Sequence, residues 1–463
     1  MVIVLRSKAS KNAVDYFLAG RQLPFWALSI TFIASWWGGG SAVDLVDHGH
    51  REGLGSFWIY GMPVLFSTFL MYIFAKGIRR VGSVTQSQLM EKRYNHSTGI
   101  LLTILILIFM VIGAAIQVIV IGNFFQSFYT IDYKTAAIIG TSIVVLYSFF
   151  GGFKGVVVTD IMQFVCLLIA AIVLFGFAYN LSGGFEAIKE ISLKKGNTEF
   201  FSFTHNLSNN IVYFITFGSS WMIQANIWQR ISATKTPQDA QKMMKLSFIV
   251  FIPLYLMVTL TGMLSIGIYD IIPEGGIVPS LIKDYMPTGL AALMFVGICS
   301  AIMSTMDSMI NTGALVLSVD IFKKELFPKA TPSQMVWTGK ICTLIIASLS
   351  ILIGLEIRSI VKISWIGADF LATGAFMPLV LGFIWKRGNS KGAIASIIFG
   401  IVFSSYNLIC ALGVDLPIYW ELTSVKQALI GMSGSLIIYV LVSLISKPEE
   451  AKAKEFILEA GII

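Results

Sequence analysis

The sequence predicts an all-α membrane protein that crosses the bilayer about twelve times. Its 463 residues are 56% hydrophobic and 13% charged, with a mean hydropathy of +0.80. The apolar residues form runs of about 20, each long enough to cross a ~30 Å hydrocarbon core as a helix. A membrane β-barrel would instead alternate apolar and polar residues. The polar intervals are too short to fold alone, which excludes a fused kinase or hydrolase.

The apolar runs place the predicted spans and divide the chain into segments. The twelve spans are 25–47, 54–77, 99–128, 136–152, 156–180, 208–231, 246–269, 287–318, 336–355, 359–385, 392–412 and 424–446. Two groups of five spans, 25–181 and 208–386, are joined by an extracellular loop, 182–207, and are followed by two additional spans, 387–446. Cytoplasmic segments, 1–24 and 447–463, lie at the two ends.

The basic residues set the predicted orientation. With the N-terminus in the cytoplasm, the cytoplasmic connections hold 24 of the 33 Lys and Arg residues, as the positive-inside rule requires. We therefore expect a multi-pass protein of the inner or plasma membrane with both ends cytoplasmic. The charges are spread along the chain, which argues against a nucleic-acid partner. A small-molecule substrate and membrane lipid are the expected partners, and we expect a monomer.

The cysteines and the first residues exclude some other features. Cys166, Cys299, Cys342 and Cys410 lie inside apolar spans without the spacing of a metal site or a disulfide framework, so we expect free thiols. The opening stretch, MVIVLRSKASKN, has an apolar run too short for a signal peptide. The first true span is therefore expected to direct insertion.

Two predicted spans contain sequence that disfavours a continuous helix. The first holds Gly38, Gly39 and Gly40 in succession, and each glycine costs about 1 kcal/mol relative to alanine inside a helix. The sixth opens with Phe217–Asn226, where Gly218 and several polar side chains interrupt an apolar run. Both segments come first in a group of five spans, which is the pattern of an inverted-repeat transporter with its site at mid-membrane. The alternative is that the glycines only allow close helix packing.

The eighth predicted span carries a cluster of polar residues. Ala301, Ser304, Thr305 and Ser308 share one helix face, because successive residues are rotated by about 100°. Hydroxyl groups arranged in this way suit a hard monovalent cation. The alternative is that they hydrogen-bond to carbonyl groups one turn back. Asp307 lies beside them, and a carboxylate within a span is costly and usually functional, although it could also pair two helices.

A second acid, Asp160, lies near the cytoplasmic start of the fifth predicted span. A carboxylate at this position could bind an ion or relay a proton. It could equally cap the helix, because an acid near a helix N-terminus is stabilised by the helix dipole.

Three ordered motifs resemble those of the sodium/solute symporter family, whose members carry sugars, amino acids, vitamins, carboxylates and choline. They are Asp15–Arg21 (DYFLAGR), Gly151–Gln163 (GGFKGVVVTDIMQ) and Met303–Ser308 (MSTMDS). The similarity extends over nearly the whole chain. It implies a LeuT-like fold, an inverted repeat of five plus five helices followed by two C-terminal helices. The family usually has one more helix before the first motif, which is expected to be absent or truncated here.

The resemblance also implies that Na⁺ is the coupling ion and indicates where it binds. The main sodium site maps onto the first and eighth spans, at Ala34 and Trp37 (backbone carbonyls), Ala301, Ser304 and Thr305. Some members bind a second sodium ion, and that second ion site maps onto Asp160 and Ser308.

We expect a secondary active transporter that couples Na⁺ to the symport of a small organic solute by alternating access. The solute-binding residues are expected on the two broken spans, at Trp36, Gly39, Ser41, Ser220, Gln224 and Asn226. Proline carriers of the family have an acid where this chain has Trp36, which argues against proline. Choline carriers have a cage tryptophan where this chain has Gln224, so the solute stays open.

Other functions are compatible with the same sequence. A proton-coupled symporter of the same fold is one, because Asp160 and Asp307 could carry protons. A channel and a non-transporting sensor are the others. An enzyme is not expected, because the spans contain no HExxH, GxSxG or paired His/carboxylate motif.

Overall fold

The computed structural model describes residues 13–357, 360–411, 414, 417 and 425–462. These residues form helices and no strand, which confirms the predicted all-α class. Residues 1–12 of the predicted N-terminal segment, and the predicted span ends at 359, 412 and 424, lie outside the described residues. All four cysteines carry free thiols, as predicted.

The helices are numbered here along the chain. Their bounds are α1 Ala13–Leu18, α2 Phe25–Trp36, α3 Leu45–Glu52, α4 Gly61–Val81, α5 Gln86–Arg93, α6 His96–Phe128, α7 Tyr133–Ser182, α8 Gly184–Lys194, α9 Leu207–Met222, α10 Ala225–Ala233, α11 Pro237–Leu264, α12 Ile277–Tyr285, α13 Thr288–Val316, α14 Pro332–Glu356, α15 Ile360–Leu371, α16 Met377–Gly382, α17 Ser390–Ala411, α18 Val425–Ile445 and α19 Glu450–Ala460. Wider π-helical turns occur at Gly40–Asp44, Leu317–Leu326 and Ala372–Phe376.

In the described part of the chain, nine helices are long and apolar enough to cross a membrane. The count of twelve spans stays a prediction, because predicted spans and observed helices do not correspond one to one. The fourth and fifth predicted spans are joined in α7, which has 50 residues. The first and sixth predicted spans are each divided into two helices, α2 with α3 and α9 with α10.

A bend at Gly152 separates the two halves of α7. The backbone there has φ 54° and ψ −161°, and a positive φ is readily adopted only by glycine. A Cβ at this position would lie 2.8 Å from the ring of Tyr16. The missing side chain therefore lets α1 pack directly against the bend.

Helix α13 lies in the interior of the bundle and packs against α2, α6, α7 and α14. Almost all of its residues between Gly297 and Val316 are buried. Its hydroxyl, amide and carboxyl side chains consequently face other helices rather than lipid, and their hydrogen bonds must be made within the protein.

Two basic residues that the sequence places in cytoplasmic connections are fully buried. Arg93 donates hydrogen bonds to the carbonyl oxygens of Gly382 at 2.7 Å, Trp385 at 3.0 Å and Gly388 at 2.9 Å, and so satisfies carbonyl groups that the end of α16 leaves unpaired. Arg230 lies within α10. Their burial is compatible with a position on the cytoplasmic side, because a charge that follows an apolar run can still be covered by neighbouring helices.

Candidate functional site

The first predicted break is present in the structure. Helix α2 ends just before Trp37, which has non-helical φ and ψ of −84° and 60°, and the chain then resumes as a π-helical segment. The Gly39 amide donates to Gln117 Oε1 of α6 at 3.0 Å. Of the described residues, none donates a backbone hydrogen bond to the carbonyl oxygens of Ala34 or Trp37. Both carbonyl groups can therefore act as ligands.

Helix α13 presents hydroxyl groups to this break. A Cβ on Gly38 would lie 2.7 Å from Thr305 Oγ1, so the broken backbone and Thr305 are in direct contact. The Ser304 hydroxyl is fully buried beside the Asp160 carboxyl group and forms no well-aligned hydrogen bond with a described residue. Ser300, one turn earlier, behaves differently, because it donates to the Val296 carbonyl at 2.7 Å.

The residues predicted for the main sodium site are all buried in the helices that meet at this contact, at Ala34, Trp37, Ala301, Ser304 and Thr305. Thr305 donates a long hydrogen bond of 3.3 Å back to the Ala301 carbonyl. Buried polar atoms are nearly always hydrogen-bonded. Unpaired carbonyl and hydroxyl oxygens at one helix contact therefore form a set of donors that suits a hard cation.

The second break lies inside the predicted segment Phe217–Asn226, five residues after Gly218. Helix α9 continues through Gly218, and the interruption before α10 is Ile223–Gln224. Gly218 instead makes room for α4, since a Cβ there would lie 2.9 Å from the Phe66 ring. Gln86 Nε2 donates to the Ile223 carbonyl at 2.8 Å and so satisfies backbone that the break leaves unpaired.

A cavity of about 90 Å³ lies beside both breaks. Of the residues predicted to bind the solute, Trp36, Ser41 and Gln224 line it. The other three do not. Gly39 faces a separate, wider cavity, and Ser220 and Asn226 are buried in α9 and α10.

Aromatic rings form one part of the solute cavity. Trp221 stacks on Phe217, with ring centroids 4.9 Å apart and planes 12° apart. Trp36 meets Trp221 edge to face at 5.9 Å. The remaining polar lining is uncharged and consists of Ser35, Ser41, Tyr60, Gln117, Gln224, Thr305 and Ser364. The described residues of the lining include no Asp, Glu, Lys, Arg or His.

The predicted site residues did not include Tyr60, Gln117 and Ser364, which come from outside the two broken spans. Gln117 did carry a signal, because it is an amide in the middle of a long apolar run and such groups are costly in a membrane. The sequence gives no comparable indication for Tyr60 and Ser364, since aromatic and hydroxyl side chains are ordinary at these positions.

Arg230 occupies the position predicted for the second ion. Its Nη2 lies 2.7 Å from Ser308 Oγ, 3.0 Å from Thr31 Oγ1 and 3.4 Å from Asp160 Oδ2. Thr31 also donates to Asp160. Asp160 and Ser308 are thus brought together, as the sequence predicts, but around a guanidinium group. Asp307 accepts a separate hydrogen bond of 2.7 Å from Tyr147.

Two further cavities differ greatly in size. One of about 600 Å³ adjoins the first break at Gly39 and is lined by Asp44, Asp47 and Glu274. The other, of about 10 Å³, is lined by residues around α5, α10 and α13, including Gln86. The cavity beside Asp47 is therefore much wider than the one beside α5.

The chain matches the sodium:solute symporter family over residues 16–400. The protein belongs to this family. It is 25% identical to a sodium/proline symporter of Haemophilus influenzae, over 97% of this chain and 93% of that protein. It is 26% identical to sodium/myo-inositol cotransporter 2 of Mus musculus over 85% of this chain, which spans 65% of that relative's length.

Solved structures share the fold. A sodium-coupled sialic acid symporter in a substrate-bound, outward-open state has a TM-score of 0.81 at 19% identity, covering 96% of both chains. A transporter of the nucleobase-cation-symport-1 family has a TM-score of 0.61 at 11% identity, covering 97% of this chain and 100% of that one. The chain has the predicted LeuT-like fold. It is a membrane symporter that couples the transport of a solute to Na⁺. The family and its Na⁺-coupled members support Na⁺, rather than a proton, as the coupling ion.

Gly38→Ala is expected to weaken sodium binding by about 5- to 100-fold, because overpacking of this kind costs roughly 1–3 kcal/mol. The new Cβ would lie 2.7 Å from Thr305 Oγ1 and 2.9 Å from Gln117 Oε1 and would push the break away from α13. The measurement is the rise in unfolding temperature of the purified protein with NaCl at constant ionic strength, balanced with KCl. Gly176→Ala is the control, since nothing lies within 4 Å of its Cβ position. Equal sodium responses of the two variants would contradict the assignment.

Proposed function

We propose that one Na⁺ binds between the first break and α13. Its ligands are the carbonyl oxygens of Ala34, Trp37 and Ala301 and the hydroxyl oxygens of Ser304 and Thr305. The observation that carries the proposal is the buried Ser304 hydroxyl, which lies beside Asp160 but forms no well-aligned hydrogen bond with a described residue. An unsatisfied buried hydroxyl costs about 1–3 kcal/mol, and a bound cation would remove that cost.

The proposed ion site and the solute cavity share one stretch of backbone. Gly38 contacts Thr305 and also lines the cavity beside Trp36 and Gly40. Binding of Na⁺ would order this wall of the cavity. Because coupling is reciprocal, sodium and solute would each raise the affinity for the other by the same factor.

We infer that this arrangement faces outward. The wide acidic cavity would be the outer entrance, and the small cavity near α5 would be the closed inner exit. In support, the C-terminal helix α19 packs against α4 and α5, and Arg80 donates to the Gly461 carbonyl at 3.1 Å. Basic side chains and the C-terminus therefore share the α5 side, which is consistent with both chain ends in the cytoplasm.

We propose repeats at 25–181 and 208–386, joined by the loop at 182–207 and followed by the additional helices at 387–446. The two breaks, each within the first span of its group, support this division. The unit of transport would be a monomer, because the ion site and the solute cavity are both built from one chain. Transport requires no covalent chemistry, so no residue is assigned a catalytic role.

We infer that a single Na⁺ accompanies each solute. The Arg230 guanidinium lies against Ser308 and Asp160 and neutralises Asp160 as a second sodium ion would. Removing a buried cation from such a pair leaves an uncompensated charge and costs several kcal/mol. A second sodium ion would therefore have to displace Arg230 at considerable cost.

We propose a neutral, polyhydroxylated solute of the sugar or polyol class. The described lining of the cavity offers amides and hydroxyls but no charged side chain, whereas a zwitterion such as proline needs partners for two charges. The aromatic face of Trp221 suits the C–H face of a sugar ring. One relative is a myo-inositol cotransporter, which fits this chemistry.

Ser304→Ala is expected to raise the sodium concentration for half-maximal stabilisation about tenfold, because it removes one ligand worth roughly 1–2 kcal/mol. Ser300→Ala is the matched control, since the Ser300 hydroxyl already bonds to the Val296 carbonyl, and it is expected to leave the sodium titration unchanged. The readout is the unfolding temperature across NaCl concentrations at constant ionic strength. If both variants gave the same sodium titration, Ser304 would not be a ligand of the ion and the proposed site would be wrong.

A panel of solutes tests the proposed class. Polyols, hexoses, proline, carboxylates and choline are each added to the purified protein in NaCl and in KCl, and unfolding is followed. A solute at about 100 times its Kd stabilises by about 2.7 kcal/mol. We expect a polyol or hexose to do so in NaCl and to have little effect in KCl. Stabilisation by proline or choline alone would show that the class is wrong.

Once that solute is identified, transport into proteoliposomes gives the number of Na⁺ ions that accompany each solute molecule. The uptake of ²²Na⁺ and of labelled solute is measured in the same vesicles, and we expect a flux ratio of one because Arg230 neutralises Asp160. A ratio of two in the wild type would contradict the role given to Arg230, without affecting the main site.

A further inference from the structure

A second polar cluster lies on helix α15, away from the proposed sodium site. Asp369 is 2% exposed and sits in the apolar span Ile363–Gly382. Gly367, two residues earlier, lines the solute cavity, so Asp369 points about 160° away from it around the helix. A carboxylate buried in a span is costly and usually has a function.

The neighbours of Asp369 are polar and buried. Its side chain lies against Ser404 of α17 and Gln427 of α18. Thr373 Oγ1 donates to the Asp369 carbonyl oxygen at 2.6 Å and lies 3.0 Å from Ser404 Oγ. Trp365 Nε1 donates to Gln427 Oε1 at 3.1 Å. The carboxyl group therefore joins three helices.

Buried oxygen atoms in and next to this cluster are left without a hydrogen bond. Asp369 Oδ1 is buried and accepts no hydrogen bond from a described residue, and Asn407 Oδ1, one turn after Ser404 on α17, is in the same condition. None of the ion pairs formed by described residues includes Asp369. An ionised carboxylate would therefore carry an uncompensated buried charge, which costs several kcal/mol.

The described side chains of the surrounding elements do not supply a cation that pairs with Asp369. Helix α15 packs against α6, α9, α17 and the π-helical turn, and α18 contributes Gln427. The ionisable side chains of these elements are His96, Tyr213, Lys391, Tyr406, Cys410, Lys426 and Tyr439. Both lysines are exposed, and His96 contacts Glu91 at the start of α6. On α15 itself, Lys362 lies outside the residues whose side chains are described.

There is little space for a metal ion here. A Cβ on Gly400 would lie 2.3 Å from the Gly374 Cα, and a Cβ on Gly431 would lie 2.5 Å from Thr373 Cγ2. Helices α17 and α18 therefore pack closely against the π-helical turn that follows Asp369. A proton is the one cation that needs no cavity, and a protonated carboxyl group is neutral and can itself donate a hydrogen bond.

We propose that Asp369 is a proton-binding site, separate from the sodium site, and that its carboxyl group is protonated in this arrangement. Helix α15 also carries Ser364 and Gly367, which line the solute cavity. Loss of the proton would leave a charge between α15, α17 and α18 and would force these helices apart to admit water. Proton release would thereby move a wall of the solute cavity, while Na⁺ remains the driving ion.

Asp369→Asn tests the proposal, because it keeps the shape of the side chain and stays neutral at every pH. Sodium-driven uptake is measured in proteoliposomes with the same pH on both sides. Wild-type uptake is expected to fall as pH rises, since each pH unit on the ionised side lowers the protonated fraction about tenfold. Uptake by Asp369→Asn is expected to stay constant with pH. Asp320→Asn is the control, as it removes another buried acid, one that accepts a hydrogen bond from Thr85 at 2.9 Å.

Infrared difference spectra, alkaline minus neutral, give a readout that does not depend on the solute or on sodium. The wild type and Asp320→Asn should lose a protonated-carboxyl band that Asp369→Asn lacks. If the Asn variant is unstable, Asp369→Glu should retain the band with a shifted midpoint. A wild-type pH profile of uptake in Asp369→Asn, or an unchanged carboxyl band, would overturn the proposal even if the sodium site is correct.

Discussion

Backbone that leaves a helix inside a bilayer has no water to replace its lost hydrogen bonds. The two breaks meet this constraint differently. At the second, the Ile223 carbonyl receives a hydrogen bond from Gln86. At the first, the described residues supply no amide to the carbonyls of Ala34 and Trp37, and the Ser304 hydroxyl forms no well-aligned hydrogen bond with a described residue. Oxygen atoms without a hydrogen bond are thus concentrated where α2 meets α13. The proposed sodium site, and its link to the solute cavity, depend on these oxygen atoms.

The absence of water inside the bilayer also constrains buried charges. Asp160 is neutralised by Arg230, and we assign a proton to Asp369. The proposed sodium site contains no carboxylate and is built from neutral oxygens. Because affinity for hard cations increases with the charge of the ligands, a neutral site would bind Na⁺ reversibly, as an ion that must be released in every cycle requires.

Patterns within single helices could be predicted from the sequence, and contacts between helices could not. The helical class, the break at Gly38 and the hydroxyl face of α13 all follow from local composition. The second break lies within the predicted segment, but its exact position could not be predicted, because Gly218 makes room for the Phe66 ring and does not interrupt the helix. Arg230 and Gln117 are brought to their sites by α10 and α6, whose positions are set by tertiary packing.

The central claim is that one Na⁺ joins the first break to α13. A high-resolution structure of the protein determined in NaCl, and again in KCl at the same ionic strength, tests it most directly. The account predicts density for an ion, in NaCl only, in contact with the carbonyl oxygens of Ala34 and Trp37 and the hydroxyl groups of Ser304 and Thr305. Sodium-dependent density elsewhere, with these oxygens left uncoordinated, would contradict it.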